Sequence, residues 1–348
     1  MKVTKKRVNT KPMNYVNSEY YDNYVAIDWS NSIMSISLLH SKSITPKISK
    51  DLPAKIKVIK DYLKKLRGKI ILTVEETTGA QWLYVELADF VDKMIICNPY
   101  RNFLLKEGPK NDYKDSAELC RLLRAGLLKE VYHSNDENYK IRKLTSSYID
   151  LVKAIVRAKN QLSAIYRGIG KDYKEKTIDT EDEYIRFIVA EKRSTIEELS
   201  RQKKEYIKVF QKLKTHNKTI NYLTEVSGIG ITNAVKLFSV VIDANRFPNK
   251  YHYWSYIGLV KYKMESGGKL YGKKNTRYNR TLKEIYKTAT QTALQGKNDI
   301  RDYYEALLKK GTPEKEAKNR ITRYIAKSTY AMMKNNTKYK PYNWRKTI

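Results

Sequence analysis

Tyr24-Val25-Ala26-Ile27-Asp28-Trp29-Ser30-Asn31-Ser32-Ile33-Met34-Ser35-Ile36-Ser37-Leu38-Leu39 decides the fold of the N-terminal part of this chain. The run Val25-Ala26-Ile27 stops at Asp28, and a polar break of four residues leads into a second apolar run. Two β-rich runs around a short polar break read as adjacent antiparallel strands. Working outward, residues 51–67 carry helical spacing (Ile56, Ile59, Leu63, Leu66) and stop at Gly68. Residues 69–74 form a buried-strand pattern that ends in Glu75-Glu76, residues 81–91 read as helix, 94–97 as strand and 115–128 as helix. An opening hairpin followed by alternating strands and helices specifies an α/β domain with a central sheet over residues 21–133.

The pattern then changes period. Ile141, Leu144, Tyr148, Leu151, Ile155, Ala158, Leu162 and Ile165 step by three and four, a four-heptad seam of the coiled-coil kind. After Gly168-Ile169-Gly170 a second seam runs through Ile196, Leu199, Lys203, Tyr206, Phe210 and Leu213. Residues 134–220 are therefore expected to be long coiled-coil helices, paired within one chain or between two. Residues 221–334 read as a mainly helical domain with glycine-marked turns. Residues 1–20 read as a basic flexible arm, and 335–348 as a frayed basic tail.

The chain has 348 residues, 69 Lys and Arg against 37 Asp and Glu, and a formal net charge of +32. The 41% hydrophobic content excludes a wholly disordered basic protein. No apolar run reaches the roughly 20 residues that span a bilayer, and the N-terminus lacks an apolar signal core. Two cysteines make neither a disulfide framework nor a zinc cluster, and the four histidines are scattered. So large a positive surplus self-repels unless an anion shares it, and nucleic acid is the commonest such partner.

Within that basic chain, four carboxylates fall at expected sheet edges. Asp28 ends the first strand, Glu76 follows the strand after Gly68, and Asp112 and Asp115 open a helix three residues apart on one face. Ligands bind where strand ends converge, and all-oxygen donors suit Mg²⁺ against a phosphate backbone. A helix N-cap at Asp112 and a solvated strand end at Glu76 are the plain alternatives.

Residues 261–287 hold nine cations, among them Lys261, Lys263, Lys269, Lys273, Lys274, Arg277 and Arg280, with Tyr262, Tyr271, Tyr278 and Tyr286 between them. Cations for phosphates and rings for bases or sugars make a nucleic-acid face. Inside it, Ser266 precedes Gly267 and Gly268, so its hydroxyl can approach a phosphate and attack phosphorus; a bare turn is the competing account. Upstream, Gly228-Ile229-Gly230 is similar to the turn of helix-hairpin-helix modules, whose backbone N–H groups hold phosphate, and equally to a simple helix-to-helix turn.

Taken in order, Val25-Ala26-Ile27-Asp28, Glu76-Thr77-Thr78-Gly79, Asn98-Pro99, residues 110–117, the long helices, Gly228-Ile229-Gly230, the segment from Arg246-Phe247 to Gly258-Leu259, and Ser266-Gly267 resemble the transposases of the IS-one-ten family, related to Piv-type DNA invertases. The resemblance spans residues 22–334. It implies an α/β RuvC-like domain of RNase H type whose DEDD tetrad (Asp28, Glu76, Asp112 and Asp115 by position) binds Mg²⁺. It also implies a transposase domain whose serine, here Ser266, joins covalently to DNA. Family members are similar to recombinases guided by a structured bridge RNA, acting on donor and target DNA as dimers that assemble into tetramers. A prokaryotic, nucleoid-associated cytoplasmic protein is implied, with no membrane partner. Glu75 directly precedes Glu76, and the spacing to Thr78-Gly79 favours Glu76; strand alternation lets only one of the two face the site. The rivals are a RuvC-like junction nuclease using only metal and water, and an inactive nucleic-acid-binding derivative. No Gly-Lys-Ser/Thr nucleotide motif is present.

Overall fold

The computed structural model describes residues 21–100, 112–133, 138–172, 180–275 and 277–341. The expected basic arm, residues 1–20, lies outside them. Two compact units divide the chain between residues 137 and 138.

The first unit is a six-stranded mixed sheet of order β3-β2-β1-β4-β5-β6. Its strands are β1 (Asn23–Trp29), β2 (Ile33–His40), β3 (Lys47–Pro53), β4 (Ile70–Glu75), β5 (Lys93–Cys97) and β6 (Glu130–Val131). β1, β2 and β3 form an antiparallel meander, β4 and β5 continue it in parallel from β1, and β6 closes the edge antiparallel to β5. That arrangement agrees with the expected RNase H-type domain.

Alternation along the strands sends side chains into two separate cores. Val25, Ile27, Leu72, Val74, Met94 and Ile96 meet α1 (Ile56–Lys64) and α2 (Ala80–Leu87) on one face. Tyr24, Ala26, Ile71, Ile95 and Cys97 meet Leu119, Cys120 and Leu123 of α3 (Asp112–Arg124) on the other. Each fully buried aliphatic side chain contributes about 1.5–3 kcal/mol, so both faces pin the strands between them. Asp22 closes the entry to β1 by accepting from the Lys69 N–H at 2.8 Å, beside Gly68 at φ 86°. A Cβ on Gly68 would meet the Asp22 carboxylate at 2.4 Å, so glycine is required there.

One sequence expectation is corrected in this unit. Residues 47–53 form the edge strand β3, so the helix expected from residue 51 begins at Ile56. β3 reads Lys-Ile-Ser-Lys-Asp-Leu-Pro and is mostly exposed, the lysine- and proline-bearing character of a protected edge.

The second unit contains α4 (Asn138–Gly168) and α5 (Glu183–His216), which pair antiparallel within the chain. Tyr148 meets Tyr206 and Phe210 at one end of the pair, while Tyr166 takes a hydrogen bond from Arg193 towards the other. The α4 seam buries Tyr148, Leu151, Ile155, Ala158 and Leu162. Asp182 caps α5 through the Ile185 N–H at 3.0 Å.

Beyond them lie α6 (Lys218–Leu223), α7 (Ile231–Val241), α8 (Lys250–Tyr256), α9 (Arg280–Ala293), α10 (Asp299–Lys309) and α11 (Glu314–Asn335). Asn217, Asn249, Asn279 and Asn298 cap four of these helices with their side-chain oxygens, each worth about 1 kcal/mol. Between α8 and α9 the chain forms an antiparallel hairpin of β7 (Lys261–Ser266) and β8 (Lys269–Asn275), where the sequence pattern points only to a turn among helices.

Many of the 29 tyrosines serve this core. The Tyr253 and Tyr286 hydroxyls lie 2.5 Å apart, Tyr286 also meets Thr329 Oγ1 at 2.8 Å, and Tyr330 donates to the Phe247 carbonyl. Burial pushes the phenols of Tyr253 and Tyr286 well up, so both stay neutral donors. The C-terminal segment is anchored as far as Tyr339, which donates to Asp299 Oδ2 at 2.5 Å and whose N–H reaches Glu225 Oε2 at 3.3 Å. Residues 342–348 lie outside the described part.

Candidate functional site

Asp28 is the sixth residue of β1, and the register that pairs Ile27 with Val74 brings Glu75 level with Asp28. Asp28 continues the face of Tyr24 and Ala26; Glu75 continues that of Ile71 and Thr73. Both carboxylates therefore stand on the face covered by α3.

α3 is placed over that face by two contacts. Cys120 Sγ donates to the Tyr24 carbonyl at 3.0 Å, and Ser116 Oγ meets Ser37 Oγ at 2.8 Å, level with Ala26. Four helical residues advance about 6 Å, as far as two strand residues. One turn further on, the start of α3 at Asp112 comes level with Asp28 and its partner Ser35. The side chain of Asp112 lies outside the described residues; Asp115 is half-buried.

Glu76 departs from this face. Its N–H donates to the Cys97 carbonyl at 2.9 Å just beyond the end of β4. Its Oε2 lies 3.2 Å from His133 Nε2, and the His133 side chain is only 2% exposed. His133 in turn donates from Nδ1 to the Val131 carbonyl at 3.2 Å and packs against Tyr84 of α2, the helix on the opposite sheet face. No spacing or motif marks His133 in the sequence, because its role depends on β6 bringing it to the end of β4.

Among the described residues, no three His, Cys, Asp or Glu side chains stand close enough together to form a metal cluster. The donor chemistry on the α3 face nonetheless fits a hard cation. Asp28 and Glu75 stand at its end and Asp115 lies in the first turn of α3, all of them oxygen donors, while Cys120 lies deeper, at the level of Tyr24.

The second expected centre lies on the β7–β8 hairpin. Ser266 pairs with Lys269 across a two-residue loop, Gly267 and Gly268, at φ 55° and 76°. Two consecutive left-handed residues are what the tight two-residue hairpin turn demands, and glycine supplies them without steric cost. Ser266 is exposed at the tip, and among the described residues no side-chain hydrogen bond engages it. Lys261, Lys263, Lys269, Lys273, Lys274, Arg277 and Arg280 are all exposed. Lys263 pairs directly with Lys273, a like-charged pair that destabilises an isolated ribbon.

Tyr262 and Tyr271 are exposed beside them, but two rings of the expected face are withdrawn. Tyr286 is buried in the helical core, and Tyr278 fills the space a Cβ on Gly258 would need, with Lys283 over its ring at 4.0 Å. The heptad-like period that buries Tyr286 in α9 outweighs its basic neighbours.

Gly228 stands at φ 89°, and a Cβ there would lie 2.1 Å from the Ala289 carbonyl oxygen of α9. Its glycine is thus required by helix packing. Gly230 precedes α7 with open space around it.

The family described as a DEDD transposase of the IS110 type matches residues 25–170, the stretch holding the carboxylates. The family described as "Transposase IS116/IS110/IS902 family" matches residues 220–305, the stretch holding the Gly-Ile-Gly turn and the Ser266 hairpin. The chain belongs to the IS110 family of transposases. An IS110-family relative, the "Insertion element IS110 uncharacterized 43.6 kDa protein" of Streptomyces coelicolor, is 29% identical over 118 residues, covering 34% of this chain and 29% of that protein. The chain thus spans less than a third of that relative's length. The DEDD domain of the IS110 family is typically metal-dependent. No helix among the described residues is long and apolar enough to cross a membrane.

Proposed function

We propose that this IS110-family chain cuts and rejoins DNA during movement of an insertion sequence, with Ser266 as nucleophile and a carboxylate-held Mg²⁺ at the scissile phosphate. The observation that carries this reading is the bare serine at the tip of a ribbon that presents five lysines and is followed by two exposed arginines. The ligands would be Asp28, Asp112, Asp115 and one glutamate of the Glu75-Glu76 pair. When bound, Mg²⁺ would neutralise charge on the phosphate oxygens.

The protein's own atoms carry the remaining chemistry. Ser266 Oγ attacks phosphorus, forming an Oγ–P bond as the bond from phosphorus to the 3′ oxygen of the strand breaks. The proton lost by the serine passes to solvent, and the departing 3′ oxygen takes one up. A 3′ hydroxyl of another strand reverses these bonds, so the phosphoserine conserves the bond energy without a nucleotide cofactor. Exposed lysines hold the strands through their phosphates. The remaining positive charge would coat a structured guide RNA, and dimers assembling into tetramers would bring donor and target DNA together.

Ser266→Ala tests this directly. It should still bind DNA while covalent protein–DNA adducts, resolved on a denaturing gel, fall by about a thousandfold or more. Unaffected cutting by Ser266→Ala would support the metal-and-water nuclease instead. DNA retention indifferent to both Asp28→Ala and Mg²⁺, without cutting, would support a derivative that only binds. Sequencing RNA that copurifies with the chain should return one defined structured species; random fragments would rule the guide out.

A further inference from the structure

At the end of the sheet away from Asp28, a cavity of about 310 Å³ opens where β1 begins, β2 ends and α3 stops. Its walls are Tyr24, Ser41, Arg121, Arg124 and Ala125. Tyr24 lies four residues before Asp28 on β1, roughly 13 Å away at the rise of a strand. We infer that this cavity binds a phosphate group, gripped by the Arg121 and Arg124 guanidiniums with the Ser41 hydroxyl beside them. Neither Ser266 nor the strand-end carboxylates take part.

Arg121 and Arg124 are three residues apart on one face of α3. Two like charges so placed repel unless an anion shares them. Closing the end of the helix does not require them, because backbone donors already take its late carbonyls. The Ala125 N–H reaches the Arg121 carbonyl at 2.9 Å, the Gly126 N–H that of Leu123 at 3.1 Å, and the Leu127 N–H that of Leu122 at 3.0 Å. Among the described residues each guanidinium spends one nitrogen on a protein acceptor. Arg121 Nη1 donates to Glu118 Oε2 at 3.0 Å, and Arg124 Nη1 donates to the Ser43 carbonyl. A guanidinium carries several N–H donors in a planar fork that matches phosphate oxygens, so each keeps most of them for the cavity.

The rest of the wall suits the same ligand. The Ser41 backbone is held by its N–H, which donates to the Asp22 carbonyl at 2.8 Å, and among the described residues no hydrogen bond engages its hydroxyl. His40 and Lys42, on either side of it, are exposed. Withdrawal from water pushes the Tyr24 phenol up despite the opposing charge of Arg124, so the wall carries no tyrosinate. The Asp22 carboxylate, also near that phenol, is turned to the Lys69 N–H.

Two sources share this chemistry, the backbone of a nucleic acid and a free phosphate compound. The test is to label the arginines of the full-length protein with phenylglyoxal, at an ionic strength held constant with chloride, and to locate the label by mass spectrometry. Inorganic phosphate should slow labelling of Arg121 and Arg124 by about fivefold or more and leave Arg186, exposed on α5, within about twofold. In Arg121→Gln, which alters an exposed side chain, the protection of Arg124 should fall by about threefold or more, since one anion engages both. Equal slowing at Arg186, no slowing at Arg121 and Arg124, or undiminished protection of Arg124 in the variant would each overturn the shared pocket. Duplex DNA is the second probe. Protection of both arginines by DNA, where inorganic phosphate at the same phosphate concentration gives none, would assign the pocket to a nucleic-acid backbone. Protection by inorganic phosphate alone would assign it to a free phosphate compound and leave the pocket standing.

Discussion

The sheet edge around Asp28 and the ribbon tip at Ser266 are built in opposite ways. Asp28 and Glu75 extend strands buried on both faces, beneath a helix tied down through Ser116 and Cys120. Ser266 sits on a two-stranded ribbon with almost every side chain in solvent. Ligands for a small cation must be held to about half an ångström, and only a packed core does that. A nucleophile that must reach a phosphate on a thick, charged polymer needs access instead. The two sites also differ in charge: the strand-end carboxylates stand where packing supports them, and the lysines of the ribbon are exposed.

The largest expected effect attacks the packed side of this contrast. Ile27→Ala empties a fully buried site next to Asp28 and should cost about 3 kcal/mol or more in denaturant unfolding of the first unit. Tyr271→Ala, on a ring 64% exposed, should change stability by less than about 0.5 kcal/mol. Equal losses from the two changes would show that the ribbon is packed after all.

A smaller effect probes the charge of the ribbon. Removing the facing pair in Lys263→Ala/Lys273→Ala should not destabilise the free protein, because like charges opposed across strands are unfavourable. It should reduce the slope of log affinity for duplex DNA against log salt by up to about 1.8, or about 0.9 for each phosphate that is no longer neutralised. An unchanged slope would place DNA elsewhere on the molecule.

The smallest concerns pH. Glu130, on β6 beside the His133 segment, has its carboxyl raised by partial withdrawal from water, with Lys93 opposing. The folded state therefore holds that proton more tightly than the unfolded chain. Its stabilising contribution is full below the ordinary glutamate range and is lost as pH rises through the raised folded value. Glu130→Gln should melt about a degree or two higher than wild type at roughly pH 7.5 and at the same temperature near roughly pH 3.5. A variant that melts lower under the first condition would contradict the sign.

Much of this arrangement is legible in the residues. Val25-Ala26-Ile27, the run from Ile33, residues 70–74 and Met94–Cys97 announce four central strands because buried strands need continuous apolar sequence. The α4 seam is equally plain. β3 is not, since an edge strand buries little and only Ile48 and Leu52 interrupt its polar residues. β7 and β8 alternate weakly and their lysines point to phosphate, so Ser266-Gly267-Gly268 reads in the sequence only as a turn. The different surroundings of Glu75 and Glu76 cannot be read from a linear sequence, because they follow from the β1–β4 register and from His133 far along the chain. Tyr286 shows the reverse error: its neighbours in sequence are basic, while its neighbours in space are Tyr253 and Thr329.

The most direct measurement is the residue to which DNA becomes attached. Full-length protein with its copurified RNA and Mg²⁺ would be incubated with donor DNA, denatured and digested, and the nucleotide-bearing peptide identified by mass spectrometry. A single modified peptide is expected, with the nucleotide on Ser266, and none from Asp28→Asn. Strand cutting without any adduct, or an adduct on another residue, would contradict the role of Ser266 as nucleophile.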